Sequence, residues 1–299
     1  MMRLGIFAKT FSRPTLAETL DAVVSHGFNC IQFNFACAGL PSMPEEISQE
    51  AARRMGSEIE RRKLAVVAVS GTFNMIHPDA KKKEDGMRRL AVMAAVCPLL
   101  KTPVITLCTG TRDVENMWRH HPQNDSPEAW RDLLEALTKA LDITERHMLT
   151  LGIEPETANV ISSAQKARRL LDEMKSPRLK IVFDAANLFQ AGELSRQREI
   201  LDEAFDLLGS DIVAAHAKDV REENGGMAHV AAGKGSLDYD YYLLKLREAK
   251  FSGPLILHGL EEKEVDGCAA WLRDKLANGG RILAGPISAE AGKNTGETR

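Results

Sequence analysis

The chain has 299 residues, of which 44% are hydrophobic and 27% are charged, and its formal net charge is −3. This composition is typical of a globular protein with a sizeable core. The slight negative charge excludes the basic surface of a nucleic-acid-binding protein and a polybasic membrane patch, and no apolar run reaches the length of a membrane span. We therefore expect neither nucleic acid nor membrane as a partner.

The cysteines also indicate a cellular location. There are five of them, an odd number, and they are scattered along the chain without a CxxC pair. This distribution is typical of buried thiols in a reducing compartment rather than of a disulfide framework. The sequence therefore predicts a cytoplasmic protein.

Short apolar runs alternate with helix-like segments along the chain. The runs predict eight strands: RLGIF, CIQFN, LAVVAV, PVITL, a run ending at Glu154, KIVFD, IVAAH and LILH. The segments between and after them predict helices near 14–26, 44–63, 80–100, 126–149, 163–174, 194–208, 239–250 and 263–277. Strand ends are separated by roughly 30 to 45 residues, which suits parallel strands joined by helical crossovers.

Eight such units predict the α/β class and a (β/α)8 TIM barrel. An open, doubly wound sheet is the alternative. It is disfavoured because no GxGxxG motif follows the first strand. In addition, polar residues stand at the end of nearly every strand, whereas an open sheet would concentrate them at a single switch point. We expect a single domain over 1–280 and a polar, disordered tail over 281–299.

Side chains suited to metal binding end the last four strands. They are Glu154, Asp184, His216 and His258. Because all strand carboxyl ends of a barrel meet at one face, these residues should converge. Carboxylate oxygen and imidazole nitrogen bind hard or borderline divalent cations. The fourth ligand remains open between His258 and Glu261, which lies one turn further out.

Other residues at this face are candidates for proton transfer or substrate binding. Glu156 lies two residues after Glu154 and points the same way in an extended backbone, so it could act as acid or base. Lys234, between two glycines ahead of a helix, predicts either a phosphate site or a hinge. The remaining substrate-binding candidates follow strands three, four, six and seven: Asn74, His77, Thr111, Arg112, Asn187 and Lys218.

Seven ordered motifs carry a family resemblance from Arg3 to about Ala277. SGTFNMIHPD, TLCTGTRD, GIEPETANV, IVFDAANLF, AHAKD, GKGSLDY and LILHGLEE resemble the xylose isomerase-like TIM barrel superfamily, in particular its sugar phosphate isomerase/epimerase branch. The resemblance implies one divalent metal ion (Mn²⁺, Mg²⁺, Co²⁺ or Zn²⁺) on Glu154, Asp184 and His216. The fourth position falls on His258, where the epimerases of the family usually have Glu.

This departure affects the expected mechanism. In those enzymes two glutamates act as acid and base on opposite faces of an enediolate. With His258 in place of the second glutamate, that role passes to Glu261 or Glu156. The catalytic candidates are therefore Glu154, Glu156, His258 and Glu261.

The sequence thus predicts a metal-dependent isomerase or epimerase acting on a sugar, polyol, sugar acid or sugar phosphate. One alternative is a dehydratase or lyase that acts on a keto-polyol through the same enolate. Another is a carbohydrate-binding or regulatory barrel that has lost turnover. A DNA-repair endonuclease with three zinc ions is disfavoured, because too few His residues end strands and the charge is slightly acidic. A homodimer or homotetramer is compatible with this interpretation.

Overall fold

A computed structural model describes residues 2–278 and confirms the predicted barrel. The strands of this part are β1 Arg3–Phe7, β2 Cys30–Phe33, β3 Ala65–Ser70, β4 Val104–Cys108, β5 Thr150–Glu154, β6 Leu179–Asp184, β7 Ile212–Glu223, β8 Gly226–Ala231 and β9 Pro254–Leu257. All except β8 pair in parallel with their neighbours. Because β9 pairs with both β7 and β1, the sheet closes on itself, which excludes the open sheet.

Helices separate the barrel strands and form an outer layer. They are α1 Leu16–Ser25, α2 Gln49–Arg61, α3 Ala80–Val96, α4 Pro127–Glu145, α5 Ala164–Met174, α6 Gln197–Leu208, α7 Tyr239–Glu248 and α8 Val265–Asn278. Helix α2 begins five residues later than the sequence predicted, since the Ser48 side chain accepts the backbone N–H of Ala51 and caps the helix there. None of the helices within 2–278 is long and apolar enough to cross a membrane.

The seventh strand differs from its prediction. It continues past His216 to Glu223 and turns back into the antiparallel strand β8. The turn is Asn224-Gly225, with φ of 52° and 75°. Such a pair with positive φ is typical of a two-residue hairpin. Strand β8 escaped prediction because GMAHVA is mostly half-exposed and lacks a continuous apolar run. The Gly233-Lys234-Gly235 segment therefore follows this hairpin.

Strand register places the polar strand ends at one height. Cys108 of β4 is paired with Glu154 of β5, and Asp184 of β6 is paired with His216 of β7. Below them the strands are apolar on successive residues and almost completely buried, as expected for strands covered on both faces. The packed barrel thus fixes these four side chains at its carboxyl rim. The predicted tail, 281–299, lies outside the described residues.

Candidate functional site

Three of the predicted metal ligands meet at this rim. Nδ1 of His216 lies 3.2 Å from Oε1 of Glu154 and 3.5 Å from Oδ2 of Asp184. All three side chains are buried. Two buried carboxylates around one imidazole require positive charge nearby, because burial removes the water that solvates the carboxylates. The structure therefore brings together the three ligands that the strand pattern predicted.

Two buried atoms of this cluster have no hydrogen bond within the described residues. They are Oδ2 of Asp184 and Nδ1 of His258. Lys218 Nζ lies 3.0 Å from Oδ2 and balances its charge, but the approach lacks hydrogen-bond geometry. Ligand atoms of Asp184, His216 and His258 all lie within 4.8 Å of one another. Buried polar atoms are normally hydrogen-bonded, so these free lone pairs fit a divalent cation.

The structure separates the two candidates for the fourth ligand. The imidazole of His258 is stacked on that of His216, with ring centroids 4.7 Å apart and an interplanar angle of 1°. The side chain of Glu261 is 70% exposed and pairs with Lys263 at 2.6 Å. An exposed, paired carboxylate is a poor metal ligand in comparison with a buried imidazole that lacks a partner. The geometry therefore favours His258 over Glu261.

The two stacked imidazoles have opposite electrostatic environments. Burial lowers the pKa of His216, but the charges of Glu154 and Asp184 outweigh it and raise the pKa to about 10. Burial lowers the pKa of His258 to about 4, and the neighbouring His216 adds to this effect. His258 is thus a neutral imidazole at physiological pH, the form in which histidine binds metals.

Lys218 and Asn187 hold the carboxylates in place. Nζ of Lys218 donates to Oδ1 of Asn187 at 2.6 Å, and Nδ2 of Asn187 donates to Oε1 of Glu154 at 3.0 Å. The pKa of Lys218 is raised: burial opposes its charge, but Asp184 and Glu154 outweigh burial. The network therefore connects Asp184 to Glu154 through a buried ammonium and an amide. Both predicted substrate-binding residues therefore contact the carboxylates that were predicted as metal ligands.

Glu156 lies beside the cluster on the substrate side. Its carboxylate, that of Glu154 and Sγ of Cys108 all lie within 4.8 Å of one another. Burial and the charge of Glu154 together raise the pKa of Glu156 to about 8, against the opposing effect of Lys218. A carboxyl group with a pKa near neutrality can both accept and donate a proton at physiological pH.

A cavity of about 330 Å³ lies above these residues, and we call it the inner cavity. Glu154, Glu156, His258 and Trp118 line it, together with Cys108 and polar residues from β2 to β4. The Trp118 side chain is 53% exposed, on the long loop after β4. This volume is at the small end of the ~300–1,000 Å³ typical of ligand pockets and suits a small polar molecule.

Four other predicted substrate-binding residues are engaged in loop contacts and do not line the inner cavity. Asn74 donates to the Thr111 backbone carbonyl at 2.8 Å. Nε2 of His77 lies 3.1 Å from the Val114 carbonyl, and Arg112 pairs with Asp132 at 2.8 Å. These contacts fix the loops after β3 and β4 to each other. A direct role in substrate binding remains a prediction for these residues.

Lys234 is exposed and also lies outside the inner cavity lining. The carboxylate of Asp219 accepts the backbone N–H groups of Gly233 and Leu237, both at 3.0 Å. A Cβ atom at Gly235 would come within 2.3 Å of the same carboxylate. Asp219 thus occupies the amides on which the predicted phosphate site depends, an arrangement that favours the structural interpretation of this loop.

Sequence reasoning missed two residues of the site. Gln32 lies in β2, and its Oε1 accepts a hydrogen bond from Nε2–H of His216 at 2.9 Å, because an amide oxygen can only accept. Cys108 is the last residue of β4 and lines the inner cavity. Each carries a sequence signal: a glutamine inside an otherwise apolar strand, and a thiol at the same strand end as the predicted carboxylates.

Known proteins are similar to this chain in sequence or in fold. L-ribulose-5-phosphate 3-epimerase UlaE from Escherichia coli is 24% identical over 168 residues, which are 54% of this chain and 56% of that protein, so the chain spans about half the length of this curated relative. The structure of an L-ribulose 3-epimerase superposes with a TM-score of 0.73 at 14% identity and covers 96% of this chain and 100% of that one. The structure of the IolI protein with a bound zinc atom superposes with a TM-score of 0.71 at 16% identity, and the match covers 93% of this chain and 98% of that one.

A match over most of the chain shows the family to which the protein belongs. The sequence pattern of the xylose isomerase-like TIM barrel family matches residues 20–275, which extend from the first helix to the last. This range includes all the strand-end ligands described above. The chain belongs to the xylose isomerase-like TIM barrel family.

Proposed function

We propose that this protein is a divalent-metal-dependent isomerase or epimerase of a sugar or sugar derivative. The observation that carries the proposal is the position of Glu154, Asp184, His216 and His258 at the rim: ligand atoms of Asp184, His216 and His258 lie within 4.8 Å of one another, and Oε1 of Glu154 lies 3.2 Å from Nδ1 of His216. The similarity to L-ribulose-5-phosphate 3-epimerase and L-ribulose 3-epimerase supports a sugar substrate, and the zinc in IolI supports a metal.

The four rim residues would hold the metal ion, with two carboxylates and two imidazoles as ligands. A divalent ion held there supplies Lewis acidity, which polarises a substrate carbonyl and favours loss of the proton on the neighbouring carbon. Glu154 is fixed for this task by Asn187, and Asp184 by Lys218. Because both positioning groups are buried, the ligand set is preorganised before a cation binds.

Glu156 is the residue that we assign to proton transfer. It reaches the inner cavity beside Glu154 and makes no side-chain hydrogen bond with any residue within 2–278. Its raised pKa allows it to take a proton from a substrate carbon and return it to the neighbouring carbon or oxygen. The rings of Phe7 and Trp118 provide apolar surface in the same cavity.

Solvent-deuterium exchange tests the proposal. The protein is reconstituted with Mn²⁺, Co²⁺ or Zn²⁺ and incubated in D₂O with a panel of ketoses and ketose phosphates. We expect deuterium in a carbon-bound position next to the carbonyl, and we expect chelation to abolish it. Ligand-dependent melting without exchange across the panel would reject the enzyme and leave a binding protein.

One observation favours a second candidate. Epimerisation needs proton donors on both faces of the substrate, whereas isomerisation or elimination needs one. Within the described residues, Glu156 is the inner-cavity carboxylate that the proposed metal does not use, and His258 replaces a second carboxylate. A dehydratase or lyase acting on a keto-polyol fits this arrangement. Loss of water from the substrate in the same exchange assay, seen as a new conjugated carbonyl by NMR, would identify it.

A further inference from the structure

A second depression adjoins the inner cavity, and we call it the outer cleft. It has a volume of about 590 Å³, larger than the inner cavity, and lies over the ends of β1, β8 and β9. Phe7, Lys9 and His258 line both depressions. The inner cavity and the outer cleft therefore adjoin each other and share a wall formed by these three side chains.

The dividing wall is built from stacked rings. The ring of Phe7 is stacked on His258, with centroids 5.3 Å apart and an interplanar angle of 25°, and His258 is in turn stacked on His216. A molecule that reaches from the inner cavity into the outer cleft thus passes over the proposed ligand His258. The exposed ammonium of Lys9 lies at this crossing and has no hydrogen bond or ion pair with residues 2–278.

The lining of the outer cleft favours a neutral polyhydroxylated group. Leu260 and Val230 provide apolar surface, which suits the C–H faces of a pyranose. Glu261 and Glu264 also line the cleft; Oε2 of Glu264 accepts the backbone N–H of Glu261 at 3.0 Å, which leaves its second oxygen to accept a hydrogen bond from a hydroxyl group. The carboxylates of Glu261 and Glu264 outnumber the ammonium of Lys9, and this negative charge disfavours a phosphate dianion in the cleft. Lys263 neutralises part of the charge of Glu261 through an ion pair.

We propose that the substrate is a two-unit carbohydrate, in which a keto sugar occupies the inner cavity and a second sugar unit linked to it occupies the outer cleft. The proposal rests on the proposed function and names its substrate class. A single hexose bound in the inner cavity would leave the outer cleft filled with water. A substrate that fills both parts can use binding energy from its distant unit to orient the reacting carbon over the metal ligands.

The test compares fructose with maltulose and isomaltulose, which are fructose carrying a glucosyl unit on O4 or O6, and with fructose 6-phosphate. Deuterium exchange and the shift in melting temperature are both measured on the Mn²⁺-loaded protein. Val230→Trp and Leu260→Trp narrow the outer cleft without touching the inner cavity. Val24→Trp, a 43% exposed position on α1, is the matched control.

We expect at least one glucosyl-fructose to exceed fructose in kcat/KM by about tenfold or more. Both cleft variants should remove this preference, while Val24→Trp should retain it. Equal or better use of fructose or fructose 6-phosphate would overturn the proposal, as would glucosyl-fructose preference unaffected by either cleft variant.

The melting temperature distinguishes failure of the two-unit site from failure of the proposed enzyme function. If no sugar exchanges deuterium, yet the disaccharides raise the melting temperature and the cleft variants cancel the rise, the enzyme assignment fails and the two-unit site stands. If no disaccharide raises the melting temperature or exchanges deuterium, the two-unit site is rejected.

Discussion

Nε2 of His216 lies 2.9 Å from Oε1 of Gln32, and this contact decides which ring nitrogen His216 offers to a metal ion. The amide oxygen can only accept, so Nε2 carries the hydrogen and Nδ1 is the nitrogen that faces Glu154 and Asp184. The orientation of the amide is supported by its nitrogen, which lies 3.4 Å from the Thr106 hydroxyl. Gln32 therefore acts as a positioning residue for the proposed metal site.

Replacing Gln32 should weaken metal binding. Gln32→Ala removes the acceptor that orients the His216 ring, and such outer partners typically contribute about 10–100-fold in metal affinity. The affinity is measured by competition with a chromophoric chelator. Gln165→Ala, which removes an exposed contact with Glu203, is the control and should bind metal normally. Unchanged affinity in Gln32→Ala would mean that the ring is oriented by the carboxylates alone.

The fourth ligand can be identified by a pair of variants. His258→Ala should lower metal affinity and alter the visible spectrum of the Co²⁺-loaded protein, because it removes a buried imidazole from the ligand set. Glu261→Ala removes an exposed carboxylate that pairs with Lys263 and should leave the spectrum unchanged. The reverse pattern would assign the fourth position to Glu261.

Lys218 should stabilise the metal-free protein and become less important once a cation is bound. Lys218→Met leaves Asp184 and Glu154 without their buried counter-charge, a change that typically costs about 3–5 kcal/mol of unfolding free energy. Urea unfolding with and without Zn²⁺ measures it, and saturating Zn²⁺ should restore part of the loss. Lys263→Met, at an exposed ion pair, should leave the free energy of unfolding nearly unchanged. An equal loss with and without Zn²⁺ would argue against a cation at this cluster.

Glu156 should affect turnover and not metal content. Glu156→Gln keeps the size of the side chain and removes its ability to transfer a proton, so kcat for deuterium exchange should fall by about 10²–10⁴-fold. Metal analysis should show wild-type content. Near wild-type exchange would move proton transfer to another residue, and loss of metal would make Glu156 a ligand.

The cysteines should be unreactive in the folded protein. All five are buried, and burial raises the pKa of Cys37 to about 11 from an ordinary value of 9.0. A thiol that stays protonated in the folded state ionises first in the unfolded chain, so it lowers stability as pH rises from about 9 towards 11. Ellman's reagent at pH 8 should detect no thiol in the native protein and five in urea. Rapid native labelling would contradict the buried assignment.

The local pattern of residues was sufficient to predict most of the barrel. Apolar runs at regular spacing identify its eight parallel strands, because strands covered on both faces must be apolar on successive residues. Strand β8 was not predictable in this way, since its side chains are half-exposed and its pairing depends on the extension of β7. The Asn224-Gly225 turn was the one local sign of this hairpin.

The sequence by itself determined which side chains would end the strands, and therefore that Glu154, Asp184 and His216 meet at one rim. Only the tertiary structure showed that Nδ1 of His258 is buried without a hydrogen bond and that Glu261 is exposed and paired with Lys263, because burial and pairing depend on how the chain folds. The same reason explains why Gln32, 184 residues from His216, and the ammonium of Lys218 were not recognised as positioning groups. Strand alternation fixes the side on which a residue lies, whereas closure of the barrel fixes which distant side chains it contacts.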